Sequence, residues 1–415
     1  MEYCGIDLHQ QYSELCILDE GGEVMERLRI PTSRTSLARF FGRRGRMRVV
    51  VEACGMSPWV SRLLGELGHE VIVCSPRRVR LIAESTLKND TVDAEVLARL
   101  VRLDPAFLKP ITHRTEEAQL LRSRMLVRRA LIDARTKWIN HVRGILRSVG
   151  YTVSGRNADS FGERVDKIKL PLEVSDVIGP LLEQIDLVSG EIGRCNQELE
   201  KLGKEIPEIA HLTEIPGVGL IVAMYFVFTV DDPQRFRNSR EVAAFFGLRP
   251  SMRESGGKHS YGRITKEGDP EMRRLLVQAA HALMHSRREC SLKTWAKQIE
   301  ARRGKSKAKV ALARKLAVLM HHLWVTGEVY RDYPKLLAAG EFERLSTDHN
   351  RGETSTTSCW QSPNSSRSGR LRSALGRVTR HLSRDTGSPR ARWERPPLVG
   401  THHAPANDKG LQECE

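Results

Sequence analysis

The hydrophobic period of this chain changes once, from two residues to about three and a half, and that change divides it into an α/β part and an all-α part. Before the change, residues 1–9 and 12–18 alternate as strands, Gly21 and Gly22 supply a hairpin turn, and residues 23–31 alternate again. Three antiparallel strands therefore come first. A short helix over 36–42 with Ser36 as its candidate cap, a strand over 48–53, a helix over 57–67 closed by Gly68 and a strand over 70–74 follow. Helices over 76–84 and 91–103 complete the order β-β-β-α-β-α-β-α within residues 1–105, which predicts a mixed sheet with helices packed on it.

After Thr115 the pattern is helical. Val127, Leu131, Ala134, Trp138, Val142, Ile145 and Val149 keep a 4-3-4-4-3-4 spacing. Leu181, Ile185, Val188, Ile192, Cys195, Leu199 and Leu202 keep a strict 4-3-4-3-4-3 spacing, the seam of a coiled coil. Two long helices within 115–205 are expected to pair as a hairpin, with the Gly-, Ser-, Asn- and Pro-bearing stretch 150–170 as a connection or interaction tip. A third, compact helical unit over 208–335 contains an apolar helix after Gly219 and further helices over 271–285 and 307–324. Residues 346–415 are rich in Ser, Thr, Arg, Pro and Gly, cannot repay the entropy of folding, and predict a disordered basic tail.

A chain of 415 residues has ample surface to bury, and its formal net charge of +16 suits a polyanionic partner such as nucleic acid. The eight cysteines show no CxxC spacing; Cys4, Cys16, Cys54 and Cys74 lie in apolar stretches as buried thiols do, which points to a reducing compartment and no cysteine-ligated zinc. The most apolar run, 220–230, is shorter than the roughly 20 residues a bilayer span needs, and Glu2 is unlike a basic signal region. A soluble, intracellular protein with no membrane contact is expected.

The element order of the first part resembles the RNase H-like fold, in which the first and fourth strands are neighbours. Asp7 follows Cys4-Gly5-Ile6 in an apolar strand, and Glu52 ends the run Val49-Val50-Val51, so these two carboxylates can converge. Asp90 and Asp93 stand three apart at a helix start and face one way. Phosphodiester transfer uses two hard cations about 4 Å apart on carboxylate oxygens, and four acids around one point would supply them. Singly, each acid has a structural alternative: a strand-turn cap for Asp7, or a helix cap and dipole partner for Asp90 and Asp93.

A second constellation runs through Phe246-Gly247-Leu248-Arg249-Pro250, Glu254-Ser255-Gly256-Gly257-Lys258 and Tyr261-Gly262-Arg263-Ile264-Thr265-Lys266. Its chemistry allows Ser255 as a nucleophile, with Gly256 and Gly257 admitting a close phosphate and Lys258, Arg263 and Lys266 offsetting its charge. With no general base identifiable, residue chemistry alone favours a glycine-rich DNA-contacting loop. Ile215-Pro216-Gly217-Val218-Gly219 resembles the turn of helix-hairpin-helix modules, where the amides around Gly217 and Gly219 meet a phosphate; a plain Pro-Gly turn stays equally open. His281 and His285, four apart on a helix, lack the third ligand and the HExxH glutamate, and read as core or surface histidines.

Taken together, Gly5-Ile6-Asp7, Val51-Glu52-Ala53, Asp90-Thr91-Val92-Asp93, Ile215-Pro216-Gly217-Val218-Gly219, Phe246-Gly247-Leu248-Arg249-Pro250 and Ser255-Gly256-Gly257 resemble the DEDD transposases of bacterial insertion sequences, the family that includes Piv-like invertases and bridge-RNA recombinases. The resemblance spans roughly residues 1–334. It implies a RuvC-like domain whose Asp7, Glu52, Asp90 and Asp93 bind Mg²⁺, with Mn²⁺ as a substitute, and a Ser255 that attacks DNA and becomes covalently linked to it. It further implies DNA ends and target as substrates, an element-encoded non-coding RNA as partner, a homo-oligomeric dimer or tetramer, and action on the bacterial nucleoid in the cytoplasm. Two other readings compete: a Holliday-junction resolvase-like nuclease using the same acids with water, and a non-catalytic nucleic-acid-binding scaffold.

Overall fold

A computed structural model of the chain describes residues 1–76, 90–255 and 258–332. The expected helix over 76–84, Gly256, Gly257 and the tail over 346–415 lie outside the described residues, apart from Pro76. For Asp90, Ser255 and Lys258 the backbone is described and the side chain is not. No described helix is long and apolar enough to cross a membrane.

The N-terminal part is a five-stranded mixed sheet of β1 (Glu2–Leu8), β2 (Tyr12–Leu18), β3 (Val24–Pro31), β4 (Met47–Glu52) and β5 (Glu70–Cys74), in the order β3-β2-β1-β4-β5. β1 pairs antiparallel with β2 and parallel with β4, as expected for the first and fourth strands. Alternation sorts the strands' side chains to two faces. Ile6, Leu15, Ile17, Val49, Val51 and Val73 pack under α1 (Arg34–Phe41) and α2 (Ser57–Glu66). Cys16, Leu18, Val50, Ile72 and Cys74 meet Ala94, Leu97, Ala98 and Val101 of α3 (Asp90–Leu103). The cap of α1 is Ser33, not Ser36: the Ser33 hydroxyl accepts the Ser36 N–H at 3.1 Å, so the helix starts one residue after it. Cys54 is exposed, unlike buried Cys4, Cys16 and Cys74, because it lies in the turn after β4 rather than in a strand.

Two long antiparallel helices follow, α4 (Glu116–Ser148) and α6 (Leu172–Glu205), each about 50 Å long at 1.5 Å per residue. The seam of α6 is buried along its length at Ile178, Ile185, Ile192, Leu199 and Leu202, while the expected Leu181, Val188 and Cys195 are half-buried. That of α4 is not: Val127 is 57% and Val149 46% exposed, and the buried residues are Leu121, Met125, Arg135, Ile139, Val142 and Leu146. The reason is a change of partner. The first turns of α4 pack into the C-terminal core and the later ones against α6 and the tip, so no single seam runs its length. The tip is ordered around a short helix, α5 (Phe161–Asp166), whose Phe161 and Val165 are buried.

The C-terminal part comprises α7 (Pro207–Thr213), α8 (Leu220–Val230), α9 (Ser239–Phe245), strands β6 (Pro250–Ser255) and β7 (Lys258–Ile264), α10 (Pro270–His285), α11 (Ser291–Arg303) and α12 (Lys305–Thr326). α8 is buried from Ala223 to Val230 and forms the centre of this core, while α12 contributes Leu312, Leu316, Leu319 and Leu323 to it. The base of α4 is tied to the end of α8. Arg114 Nε donates to the Thr229 carbonyl at 2.7 Å, and Asp231 accepts from the Thr115 backbone N–H at 2.7 Å.

Candidate active site

Asp7 and Glu52 end two neighbouring parallel strands. The β1–β4 register pairs Ile6 with Val51, and the next residue on each strand is one of these acids. Adjacent strands lie about 4.8 Å apart, and residues at one level point to one face, so the two carboxylates share a strand end and a face. That face is the one α3 covers. At Gly5 the two backbones meet: a Cβ there would lie 2.0 Å from the Ala94 carbonyl oxygen and 2.6 Å from the Ala98 nitrogen. Gly22, beside the N-terminal end of β1, touches Arg102 near the far end of α3, so the helix runs antiparallel to β1 and its first residues, Asp90 and Asp93, start at the end where Asp7 stands. The Asp93 side chain is exposed.

The residues around Asp7 refine this picture. His9 Nε2 lies 3.1 Å from Asp7 Oδ2, and the His9 ring packs on Tyr12 with centroids 4.8 Å apart. Across the β1–β2 pair Asp7 faces Glu14, a buried carboxylate held by Arg29 Nε at 2.5 Å. Neither was anticipated. Both were open to the rule that picked out Asp7, since His9 lies two residues along the same face and Glu14 is a charge inside an apolar strand. On the other side, Glu52 is level with Cys74, whose thiol pKa is pushed up to about 12, first by burial and then by the Glu52 charge.

Carboxylate oxygens at one strand end are the donor set a hard divalent cation takes. Among the described residues, which do not include the Asp90 side chain, no three His, Cys, Asp or Glu side chains form a metal-ligand group.

The serine constellation lies elsewhere in the chain, at the tip of an antiparallel ribbon. β6 and β7 pair from Pro250 with Ile264 to Ser255 with Lys258, so the loop expected here is a two-stranded hairpin with Ser255 as the last residue of its first strand. Met252 and Tyr261, a cross-strand pair, are 46% and 73% exposed, so neither strand is covered at mid-length. The root, by contrast, is rigid. Gly247 and Gly268 have φ of +66° and +74°, and Lys266 has φ of +57°. A Cβ at Gly268 would lie 1.9 Å from the Phe245 carbonyl oxygen. Arg273 closes this junction, donating to the carbonyls of Phe246 at 3.1 Å, Glu267 at 2.6 Å and Gly268 at 3.2 Å. Arg263 is exposed on β7.

The 215–219 turn joins α7 to α8. Gly217 has φ of +86° and sits against α10, where a Cβ would be 2.9 Å from the Ala279 carbonyl; Gly219 is the uncapped start of α8. Gly217 is thus required by packing, and Gly219 leaves the first amides of α8 without a side-chain cap. His281 and His285 are exposed, with rings 4.1 Å apart and His285 Nδ1 against the His281 carbonyl at 2.8 Å.

Comparison with known proteins covers both regions. Residues 4–150 match the family model of the IS110-type DEDD transposases, and residues 209–296 match that of the IS116/IS110/IS902 transposase family. The chain is 31% identical over 339 residues to the transposase for insertion sequence element IS1111A of Coxiella burnetii, covering 79% of this chain and 90% of that protein. It is 28% identical over 330 residues to the transposase for insertion sequence element IS1328 of Yersinia enterocolitica, covering 79% and 97%. Similarity extends, at 23% identity over 261 residues, to the pilin gene-inverting protein of Moraxella bovis, covering 61% and 72%. With the two family models falling on the acid-bearing sheet and on the helical part that carries the ribbon, this chain belongs to the IS116/IS110/IS902 family of transposases.

Proposed function

We propose that this protein is a transposase that cuts and rejoins DNA strands, using an RNase H-like carboxylate centre of Asp7, Glu52, Asp90 and Asp93 together with Ser255. The observation that carries the proposal is the level placement of Asp7 and Glu52 on neighbouring parallel strands, with α3 starting at the same end. Asp7, Glu52, Asp90 and Asp93 would hold divalent cations, Mg²⁺ by their hard oxygen character, with Mn²⁺ able to replace it. A cation held by these residues would supply charge stabilisation for the attacking and leaving oxygens. His9 orients the Asp7 carboxylate, and the Arg29–Glu14 pair keeps a second buried acid neutralised beside it.

Ser255 is the nucleophile in this reading. Its hydroxyl loses a proton as Oγ bonds to the phosphorus, and the displaced sugar oxygen leaves carrying a proton. Rejoining reverses the exchange: a DNA hydroxyl attacks the phosphoserine ester and returns the serine. One ester replaces another, so no external energy source is needed. Lys258, Arg263 and Lys266, on or next to the ribbon in sequence, would offset phosphate charge, and the Gly217–Gly219 turn would meet a backbone phosphate. Because the ribbon and the acids belong to different parts of the chain, their union is assigned to assembly of a dimer or tetramer on DNA. An RNA encoded by the same element serves as the guide.

The test is strand cleavage on the element's junction DNA with its flanking RNA, with Mg²⁺, comparing wild type, Asp7→Ala and Ser255→Ala on denaturing gels. A protein-linked DNA band in wild type that is lost in both variants is expected. Free cleaved DNA that persists in Ser255→Ala and vanishes in Asp7→Ala would instead establish a resolvase-like nuclease. Binding without any cleavage would establish a scaffold.

A further inference from the structure

Between α4, α8 and α10 lies a cleft of about 340 Å³ whose chemistry the acid centre and the ribbon do not use. Arg128, Arg129 and Arg274 line it, over a floor that includes Met125, Ile221 and Val222. Two of the three guanidinium groups have carboxylate partners. Arg129 pairs with Asp133 at 2.6 Å, and Arg274 pairs with Glu271, with its Nε at 2.7 Å, and also donates to Gln278 at 2.6 Å. Arg128 does not: its Nε donates at 2.6 Å to the neutral amide oxygen of Asn196 on α6, and among the described residues no carboxylate pairs with it. Its surroundings add charge of the same sign, from Arg129, Arg135 and Arg274, and half-burial holds its pKa below the usual arginine value, burial being the largest cause.

A half-buried guanidinium without a counter-ion is costly unless an anion arrives to supply one. The cleft is shaped for such an anion. Ile221 and Val222 belong to the first turn of α8, which has no side-chain cap, so an uncapped helix start and an arginine fork border one recess. The apolar floor suits the face of a sugar beside that charge, which an acidic peptide side chain lacks. From these observations we propose that the cleft is a phosphate-binding site and that a backbone phosphodiester of a bound nucleic-acid strand supplies the counter-ion of Arg128. This site rests on the reading that the chain acts on nucleic acid, and it is distinct from both the acids and Ser255.

The experiment measures binding of labelled duplex DNA and of labelled single-stranded RNA to the full chain by fluorescence anisotropy across a salt series, for wild type, Arg128→Gln, Arg128→Lys and Asn196→Ala. Loss of one phosphate contact lowers the slope of log affinity against log salt by about 0.9 on duplex DNA or about 0.7 on a single strand. Arg128→Gln is expected to lose that increment on one of the two ligands, which identifies the strand that enters the cleft. Arg128→Lys keeps the slope, and so does Asn196→Ala, which breaks the α4–α6 hydrogen bond and leaves the charge. A wild-type slope in Arg128→Gln on both ligands overturns the site while leaving the transposase reading intact. An equal loss in Asn196→Ala also overturns it, since Arg128 would then act through helix pairing. Wild-type protein that binds neither ligand in a salt-dependent way overturns the site and the nucleic-acid reading together.

Discussion

At the scale of single residues, the acid end of the sheet depends on a missing side chain. Gly5 lets α3 lie against β1 closely enough for the Ala94 carbonyl to occupy the space a Cβ would need. Gly5→Ala forces the helix off the strand; a loss of about 1–3 kcal/mol, the usual cost of overpacking, is expected in denaturant unfolding, with a fall in metal-dependent cleavage as Asp90 and Asp93 move with α3. A second residue sets a pH limit. His321 is buried, with Nε2 donating to the Pro233 carbonyl at 2.8 Å and Nδ1 accepting from Ser239 at 3.0 Å, and burial lowers its pKa below 6.5. The unfolded chain then takes up this proton before the folded one does. The stability it contributes is complete above pH 6.5 and is lost as pH falls through the depressed folded value. Urea midpoints measured across this range should fall in wild type and vary less in His321→Gln, whose side chain does not titrate; equal slopes in the two would refute the assignment.

At the scale of elements, the ribbon whose first strand ends in Ser255 is clamped at its root. A two-stranded hairpin alone is marginal in water, and here mid-length residues on both strands are exposed, so the Arg273 clamp on three carbonyls and the positive-φ residues at its foot fix where the tip points. Arg273→Met should leave the helical content by circular dichroism unchanged and reduce the protein-linked DNA product on the order of 10²-fold, the effect of misplacing a reacting group by about 1 Å. An undiminished product would show that the root does not position the serine. The ribbon also marks where sequence reasoning stops. Strands such as 12–18 announce themselves because one or both faces are buried, whereas 250–264 carries Arg, Glu, Lys, His and Ser in strands whose mid-length residues Met252 and Tyr261 are exposed, and so shows no alternation to read. Helices α7 and α9, seven residues each, are shorter than two turns and leave no period. The α4 seam misled for the opposite reason: the apolar residues were there, but two different partners select two different stripes. The neighbouring strand-end positions of Asp7 and Glu52 were legible because each carboxylate closes an apolar run in an RNase H-like strand order, and Glu14 was passed over although the same reasoning reaches it.

At the scale of the whole molecule, the long helical pair is joined to the rest at one end. Asp231, itself at φ +64°, accepts both the backbone N–H of Thr115 at 2.7 Å and its hydroxyl at 3.0 Å, fixing the first residue of α4 to the end of α8. Asp231→Ala should cost about 1–3 kcal/mol by leaving those donors unsatisfied, and Asp231→Asn, which keeps an acceptor and tolerates positive φ, should recover most of it in the same unfolding assay. Two helical turns beyond Thr115, Arg122 forms an ion pair with Asp269, which caps α10 and receives the Tyr225 hydroxyl at 3.3 Å. Asp269 is the residue after Gly268, at the foot of the ribbon. In mechanical terms α4 is a cantilever: its first turns are clamped in the C-terminal core, its later turns carry the tip, and a force applied at the tip returns to the base as torque. The side chains that bear that torque are Arg114, Thr115 and Arg122, and the last of them hands it to the residue from which the Ser255 ribbon is hung.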